Sequence, residues 1–112
     1  LRQRARLEIE ARVIEKTRLR KLKYTKINIR DTRTRWGSCS NSGALSFSWR
    51  LILAPDWVLD YVVAHEVAHL EHLNHSSDFW EVVENLCHKV KEAREWLSEN
   101  GTMLHSFQRS RV

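Results

Sequence analysis

The stretch VVAHEVAHLEHLNH, residues 62–75, decides the fold of this 112-residue chain. On a helix, His65 and His69 differ by about 40° in azimuth and about 6 Å in height, so both imidazoles can reach one metal ion. Glu66 lies about 100° round the helix from His65, where its carboxylate can face a water molecule on that ion. This HExxH spacing predicts a zinc hydrolase, with two histidine ligands and Glu66 as general base.

His72 and His75 compete to be the third ligand. On a continued helix His72 would share the azimuth of His65 and His69, but the three would span about 10.5 Å of the axis. One ion with bonds of about 2.0–2.1 Å cannot gather imidazoles over that length. His75 can reach the metal only if the helix ends before it.

The sequence predicts such an ending. Asn74 tolerates the left-handed turn that closes a helix. Ser76-Ser77-Asp78 is typical of a helix start, with Asp78 and Glu81 in capping-box spacing. We therefore expect the helix to stop near Leu73 and His75 to complete the site. The remaining candidates for the third ligand are downstream acids, namely Glu84 and Glu92.

The flanks of the motif indicate a buried helix. From Trp57 to Leu73 the pattern is apolar almost all round, with Asp60 and Glu71 sharing one narrow polar stripe. Burying two imidazoles and a carboxylate without partners would be costly, and a metal ion supplies the partner. Asp60 and Glu71 could orient the ligands, but their azimuths point away from the site, which favours salt bridges or solvation.

Composition predicts one domain over residues 1–112, and the first residue, Leu1, indicates a fragment of a longer protein. No apolar run approaches the roughly 20 residues that span a bilayer, and no signal peptide opens the chain. Cys39 and Cys87 are isolated in sequence. We therefore expect a cytoplasmic protein with two structural thiols and no membrane partner.

The net charge of +5 is unevenly distributed. Residues 1–35 hold thirteen Lys/Arg against four Asp/Glu, whereas residues 36–112 hold six against ten. The basic third could bind nucleic acid or nucleotide phosphates, or it could be a solvated helix face. No aromatic residue interrupts the run from Arg18 to Lys23, so a stacking platform for bases is not visible.

The remaining pattern predicts an α+β fold. Residues 2–23 have helical spacing, residues 26–30 and 34–39 are predicted strands, and Asn41-Ser42-Gly43 is a hairpin loop. Alternation from Leu45 to Leu51 predicts a third strand. Pro55-Asp56 opens the metal helix, and a last helical region runs over residues 78–100, broken near His88 and capped by Gly101. We expect a small antiparallel or mixed sheet of about three strands against a central zinc-binding helix, with flanking terminal helices.

Several separate motifs occur in the order found in a known family: residues 34–40 (TRWGSCS), 49–51 (WRL), 54–55 (AP), 60–63 (DYVV) and 65–80. They resemble the YgjP-like metallopeptidase family, whose relatives include the SprT-like proteases and the minimal gluzincins. The similarity covers roughly residues 25–101 and implies a zincin-like fold. It also implies that His65, His69 and His75 bind zinc and that Glu66 is the general base. Family members usually have an additional N-terminal β-rich portion, which this chain lacks.

Three functions follow as hypotheses. The first is a zinc-dependent peptidase acting through water and Glu66, with residues 36–38 along the cleft, where an edge strand can pair with a peptide. The second is a metal-dependent hydrolase of nucleotide phosphoanhydrides, and the third a non-catalytic zinc module that binds nucleic acid. A metzincin is disfavoured, because His72 stands where that class has glycine and Met103 lies beyond a long helix. The candidates for stabilising an oxyanion are Arg50, His72, His88 and His105.

Overall fold

The computed structural model describes residues 1–32 and 34–106. Its elements in chain order are α1 (Arg2–Arg20), β1 (Lys26–Arg30), β2 (Gly37–Cys39), β3 (Ala44–Ser48), a 3₁₀ helix (Trp49–Leu53), α2 (Asp56–Ala68), α3 (Ser77–Leu86) and α4 (Val90–Ser106). The expected α+β class with a small mixed sheet is confirmed.

The three strands form a mixed sheet in the order β1-β3-β2. β1 pairs parallel to β3, while β2 pairs antiparallel to β3 and forms an edge of the sheet. Leu45 and Phe47 of β3 are fully buried, and Ser46 between them faces the other side. Gly43 closes the β2–β3 hairpin with a φ of +85°, a conformation that glycine adopts without steric cost.

Helix α2 lies at the centre of the fold, against α1, α3, α4, β2 and the 3₁₀ helix. Its residues are buried on nearly every side, as the sequence predicts. Helix α1 packs on it through Ala5, Ile9 and Val13, all fully buried and spaced by four residues. No helix among the described residues is long and apolar enough to cross a membrane.

A buried ionic cluster joins three helices on the side of α2 away from the motif. Lys16 of α1 is 2 % exposed. Its Nζ donates to the carbonyl of Leu86 at 2.8 Å and lies 2.9 Å from a carboxylate oxygen of Asp60. In a separate, more exposed pair, Glu71 accepts two hydrogen bonds from Arg20. The sequence-based preference for salt bridges at Asp60 and Glu71 is confirmed.

The third strand ends earlier than expected. The strand stops at Ser48, whereas the alternating pattern predicted a strand as far as Leu51. Residues Trp49–Leu53 form the 3₁₀ helix instead. The side chain of Ser48 accepts a hydrogen bond from the backbone N–H of Arg50 and so caps that helix. Trp49, Arg50 and Leu51 are all buried there, which a strand with one polar face would not allow.

Two other predicted boundaries are wrong. Strand β2 covers residues 37–39 rather than 34–39, and α4 continues through Gly101 instead of ending at it. Gly101 is buried, and a Cβ built on it would meet the indole of Trp36 at 3.6 Å. Gly101 therefore lies inside α4 with room for an ordinary contact to Trp36, and it does not cap the helix. The predicted break near His88 is confirmed, because α3 ends at Leu86 and α4 begins at Val90.

Candidate metal centre

Three histidines converge at the C-terminal end of α2. His65 lies in the last turn of the helix, His69 follows its last residue, and His75 lies in the turn before α3. Their ring centroids are 4.9–5.2 Å apart in each pair. One nitrogen from each ring can be chosen so that all three lie within 4.8 Å of one another. No other such group of histidine, cysteine or acidic side chains occurs in the described part of the chain.

The helix ends earlier, and by a different turn, than the sequence predicts. Helix α2 stops at Ala68 instead of near Leu73, and i→i−3 hydrogen bonds tighten the following turn. Asn74 is not left-handed, because Lys21 is the one described non-glycine residue with a positive φ. Ser76 caps α3 by accepting from the N–H of Phe79 at 3.3 Å, so the expected capping pair of Asp78 and Glu81 is wrong.

Hydrogen bonds at Nδ1 orient two of the imidazoles. Nδ1 of His69 lies 3.0 Å from the backbone carbonyl of His72, and Nδ1 of His65 lies 2.9 Å from Oε2 of Glu66. With Nδ1–H as donor in both, each Nε2 keeps a lone pair, the form that binds a metal ion. Partial desolvation, together with the neighbouring His65 and His69, lowers the pKa of His75, which favours its neutral form as well.

One pair of ring nitrogens has the spacing of two ligands on a tetrahedral zinc ion. Nε2 of His69 and Nε2 of His75 face each other at 3.2 Å. Two ligands bound at about 2.0–2.1 Å with a tetrahedral angle would lie about 3.3 Å apart. Three neutral imidazoles also suit zinc as a donor set and leave a fourth position open, as in catalytic sites.

Two aromatic side chains of α3 pack against the histidines. Phe79 is fully buried, and its ring centroid lies 4.5–5.1 Å from those of all three imidazoles. Trp80 adds contacts to His65 and His75 at about 6 Å. These aromatic contacts were not predicted. The available signal was the position of Phe79, four residues after His75 and at the start of the apolar face of α3.

Glu66 is buried between His65 and strand β2, with 5 % of its surface exposed. A Cβ built on Gly37 would lie 2.9 Å from Cγ of Glu66 and 3.1 Å from its Oε2. Glycine at position 37 is therefore what allows the edge strand to approach the carboxylate. The sequence motif contained this glycine without indicating why it is needed.

The histidines open onto a cleft of about 470 Å³. Gly37 and Ser38 of the edge strand line its other side, as expected for that strand, and Cys39 and Leu73 also contribute. A smaller apolar pocket of about 220 Å³ adjoins His65 and Glu66. Its apolar walls are Trp36, Tyr61, Val62 and Leu97.

Burial affects the protonation of two groups near the helix. It raises the pKa of Tyr61 to about 12, so this phenol in the pocket wall stays protonated. It also raises the pKa of Cys87 to about 11, which makes this buried thiol unreactive and agrees with the predicted structural role. The pKa of Cys39 in the cleft is raised as well, by burial and by the charge of Glu66.

Several sequence candidates lie elsewhere. Arg50 is buried against Asp31 and lines neither cavity at the histidines. His72 contributes its backbone carbonyl to His69, and His88 is exposed between α3 and α4. The side chain of His105 lies outside the described residues. The alternative third ligands, Glu84 and Glu92, are exposed and not part of the histidine group.

A family model described as the YgjP-like metallopeptidase domain matches residues 1–100. The chain belongs to the YgjP-like metallopeptidase family. The resemblance and the assignment as a metal-dependent peptidase are thereby confirmed, and the match extends over α1, which the motifs left out. The solved structure of a metallopeptidase zymogen, abylysin of Pyrococcus abyssi, superposes with a TM-score of 0.68 and 21 % identity. It covers 93 % of this chain, which covers 99 % of abylysin, and at this identity the likeness is one of fold. No curated protein matches the sequence.

In this YgjP-like domain, much of the basic charge of α1 is bonded within the chain. Four described basic side chains of α1 lie within 4 Å of a carboxylate. Two of these carboxylates are on α1 itself, one is on α2 and one is in the turn after α2. The pairs are Arg6–Glu10, Arg12–Glu8, Lys16–Asp60 and Arg20–Glu71. Arg2 donates to the carbonyl of Ile29. Part of the positive charge of α1 is therefore explained by interactions that hold this helix in the fold.

Proposed function

We propose that this chain is a zinc-dependent peptidase in which His65, His69 and His75 bind the ion and Glu66 is the general base. The observation that carries the proposal is the convergence of three imidazoles, with nitrogens within 4.8 Å of one another, beside a buried glutamate. Membership of a metallopeptidase family supports the same reaction.

Zinc, when bound, supplies a Lewis acid that polarises a carbonyl and lowers the pKa of water. Glu66 takes the proton of the attacking water and transfers it to the amide nitrogen that leaves. Its Oε2 is bonded to His65, so the second carboxylate oxygen is the one that receives the proton. Phe79 is fully buried and packs against all three imidazoles, so that side of the site is proposed to exclude water.

Strand β2 is proposed to hold the substrate. One of its edges pairs with β3, while Gly37 and Ser38 line the cleft beside Glu66. An extended peptide can add to the free edge through main-chain hydrogen bonds, which places successive amides along the strand regardless of side chain. The apolar pocket next to Glu66 would then hold one side chain next to the bond that is cleaved.

The decisive experiment compares Glu66→Gln with Glu84→Gln, a matched change of an exposed glutamate on α3. We expect Glu66→Gln to lower kcat/KM on a peptide library by at least a hundredfold, since general base catalysis contributes about 10²–10⁴. Its zinc content should stay at one per chain. Equal activity of Glu66→Gln and the wild type would overturn the assignment of the base.

A second pair of variants tests the ligands. His75→Ala should lose bound zinc, measured by metal analysis after dialysis against a weak chelator. His88→Ala, a matched change of an exposed histidine, should keep it. Unchanged zinc in His75→Ala would show that another group completes the site.

The other two functions stay predictions, as does the cytoplasmic location. The same preparation can be screened for pyrophosphate release from nucleoside triphosphates and for salt-dependent binding of nucleic acid. Pyrophosphate release that requires Glu66, without any peptide cleavage, would replace the peptidase proposal with the second hypothesis.

A further inference from the structure

The outer face of the sheet, away from the helices, is polar and basic. Asn28 and Arg30 of β1 lie beside Ser46 and Ser48 of β3 in the parallel register. Ser38 of β2 lies opposite Ser46 from the other side. Asn28, Arg30 and Ser46 alternate with buried residues such as Leu45 and Phe47, so they lie on the face that the core does not cover. Ser48, at the end of β3, is itself buried.

This face forms one wall of a cavity of about 340 Å³. Two arginines, Arg30 and Arg35, line it together with three serines and Thr32. Such a lining offers many hydrogen-bond donors, and among its described residues the two arginines carry the charge. Its chemistry suits an oxyanion, which accepts hydrogen bonds and carries negative charge.

Arg30 is positioned by a hydrogen bond of its guanidinium, whereas Arg35 is anchored through its backbone. Nε of Arg30 donates to the hydroxyl of Ser46 at 3.4 Å, which leaves the four N–H groups on its two Nη atoms for other partners. The backbone carbonyl of Arg35 accepts from Thr32 at 2.6 Å, and its side chain is exposed. Neither forms an ion pair with any residue in the described part of the chain.

This state contrasts with the arginines that stabilise the fold. Arg12, Arg20 and Arg50 each form an ion pair, with Glu8, Glu71 and Asp31 respectively. Two like charges that line one cavity repel each other, and a bound anion would attract both and offset that repulsion. The cavity therefore carries positive charge, and residues 1–32 and 34–106 supply no carboxylate that pairs with it.

The cavity adjoins the metal cleft through strand β2. Arg35, Gly37 and Ser38 line both spaces, so the strand separates them by its own thickness. A peptide paired with β2 would run within a few residues of Arg35, since each extended residue advances it by about 3.3 Å.

We propose that this cavity is an anion subsite that selects peptides carrying a carboxylate a few residues from the bond that is cleaved. The proposal rests on the peptidase function given above and adds the substrate class to it. The carboxylate comes from an acidic side chain or from the C-terminus of a short peptide, and both would bind Arg30 and Arg35 in the same way.

The test uses an amidated peptide that the zinc-loaded protein cleaves, with one Glu moved along it position by position and a Gln peptide as partner at each step. We expect kcat/KM to favour Glu over Gln by about tenfold at one or two positions, an effect that decreases with salt because exposed charges are screened. The same Gln peptides with a free C-terminus distinguish the terminal carboxylate from the side chain.

The double variant Arg30→Gln/Arg35→Gln should bring the Glu-to-Gln ratio to about one. Arg18→Gln, a change of an α1 arginine that lines neither cavity, should keep the tenfold ratio. An equal ratio in the wild type and the double variant, or no preference for any carboxylate, would overturn the subsite and leave the peptidase proposal standing.

A binding measurement separates the two proposals. Calorimetry with zinc-loaded Glu66→Gln should give a Kd about tenfold lower for the preferred Glu peptide than for its Gln partner, and the double variant should abolish this difference. A charge-dependent Kd without cleavage by the wild type would support the subsite and overturn the peptidase.

Discussion

Gly37→Ala should impair catalysis without removing the metal. The three atoms nearest to the added Cβ all belong to Glu66, with Cγ at 2.9 Å, Oε2 at 3.1 Å and Cδ at 3.3 Å. An ordinary contact begins near 3.4 Å, so Cγ must move by about 0.5 Å. A displacement of 1 Å at a catalytic group can cost about a hundredfold, which makes a loss of at least tenfold in kcat/KM the expected result.

The assay combines kcat/KM on a peptide, zinc content and thermal unfolding. The three histidines are not among the nearest atoms to the new methyl group, so zinc should remain at one per chain. Overpacking should lower the free energy of unfolding by no more than about 2 kcal/mol. Gly101→Ala is the control, because its Cβ would meet Trp36 at an ordinary 3.6 Å. That variant should keep full activity and gain up to about 1 kcal/mol, as Ala replaces Gly within a helix. Activity of Gly37→Ala within twofold of the wild type would refute the reasoning.

Three further predictions concern stability. Zinc at a hundred times its Kd should stabilise the fold by about 2.7 kcal/mol, and a chelator should reverse the shift in Tm; a Tm indifferent to both would contradict binding to the folded state. Lys21→Gly should raise the unfolding free energy by about 1 kcal/mol, because Lys21 ends α1 with a φ of 57°; urea unfolding would show a loss instead if that turn were unstrained. The hydrogen bond from Arg20 lowers the pKa of Glu71, so this pair stabilises the fold above the ordinary pKa of the carboxyl and ceases to do so as pH falls through the lowered one. Glu71→Gln should therefore cost about 0.5 kcal/mol at pH 7 and nothing at pH 2, and a cost that persists in acid would contradict the ion pair.

The elements with strong periodicity were predictable from sequence. Helix α1, strand β1 and the start of α2 lie where the apolar spacing and Pro55 place them. The strand predicted at residues 45–51 is wrong beyond Ser48. An alternating pattern carries no information about a serine side chain that caps the following turn. The predicted end of α2 is wrong for a similar reason. The i→i−3 hydrogen bonds after Ala68 involve backbone atoms, so the residue types do not indicate them.

The candidate site was predictable only in part. Helical geometry brings His65 and His69 together, and the arrival of His75 beside them depended on a turn whose type was predicted wrongly. Phe79 could not be assigned beneath the histidines, because apolar spacing identifies a buried face without naming what it contacts. The position of Arg30 beside Ser46 is likewise a property of the sheet register.

The chain connectivity of the site separates metal loading from catalytic competence. The three histidines proposed as ligands lie within eleven residues, so the entropy lost in closing the loop between them is small. Glu66 acquires its environment only when β2, almost thirty residues upstream, docks against α2. The proposed site therefore predicts that a partly folded chain binds zinc before Glu66 reaches the position from which it would act as the base.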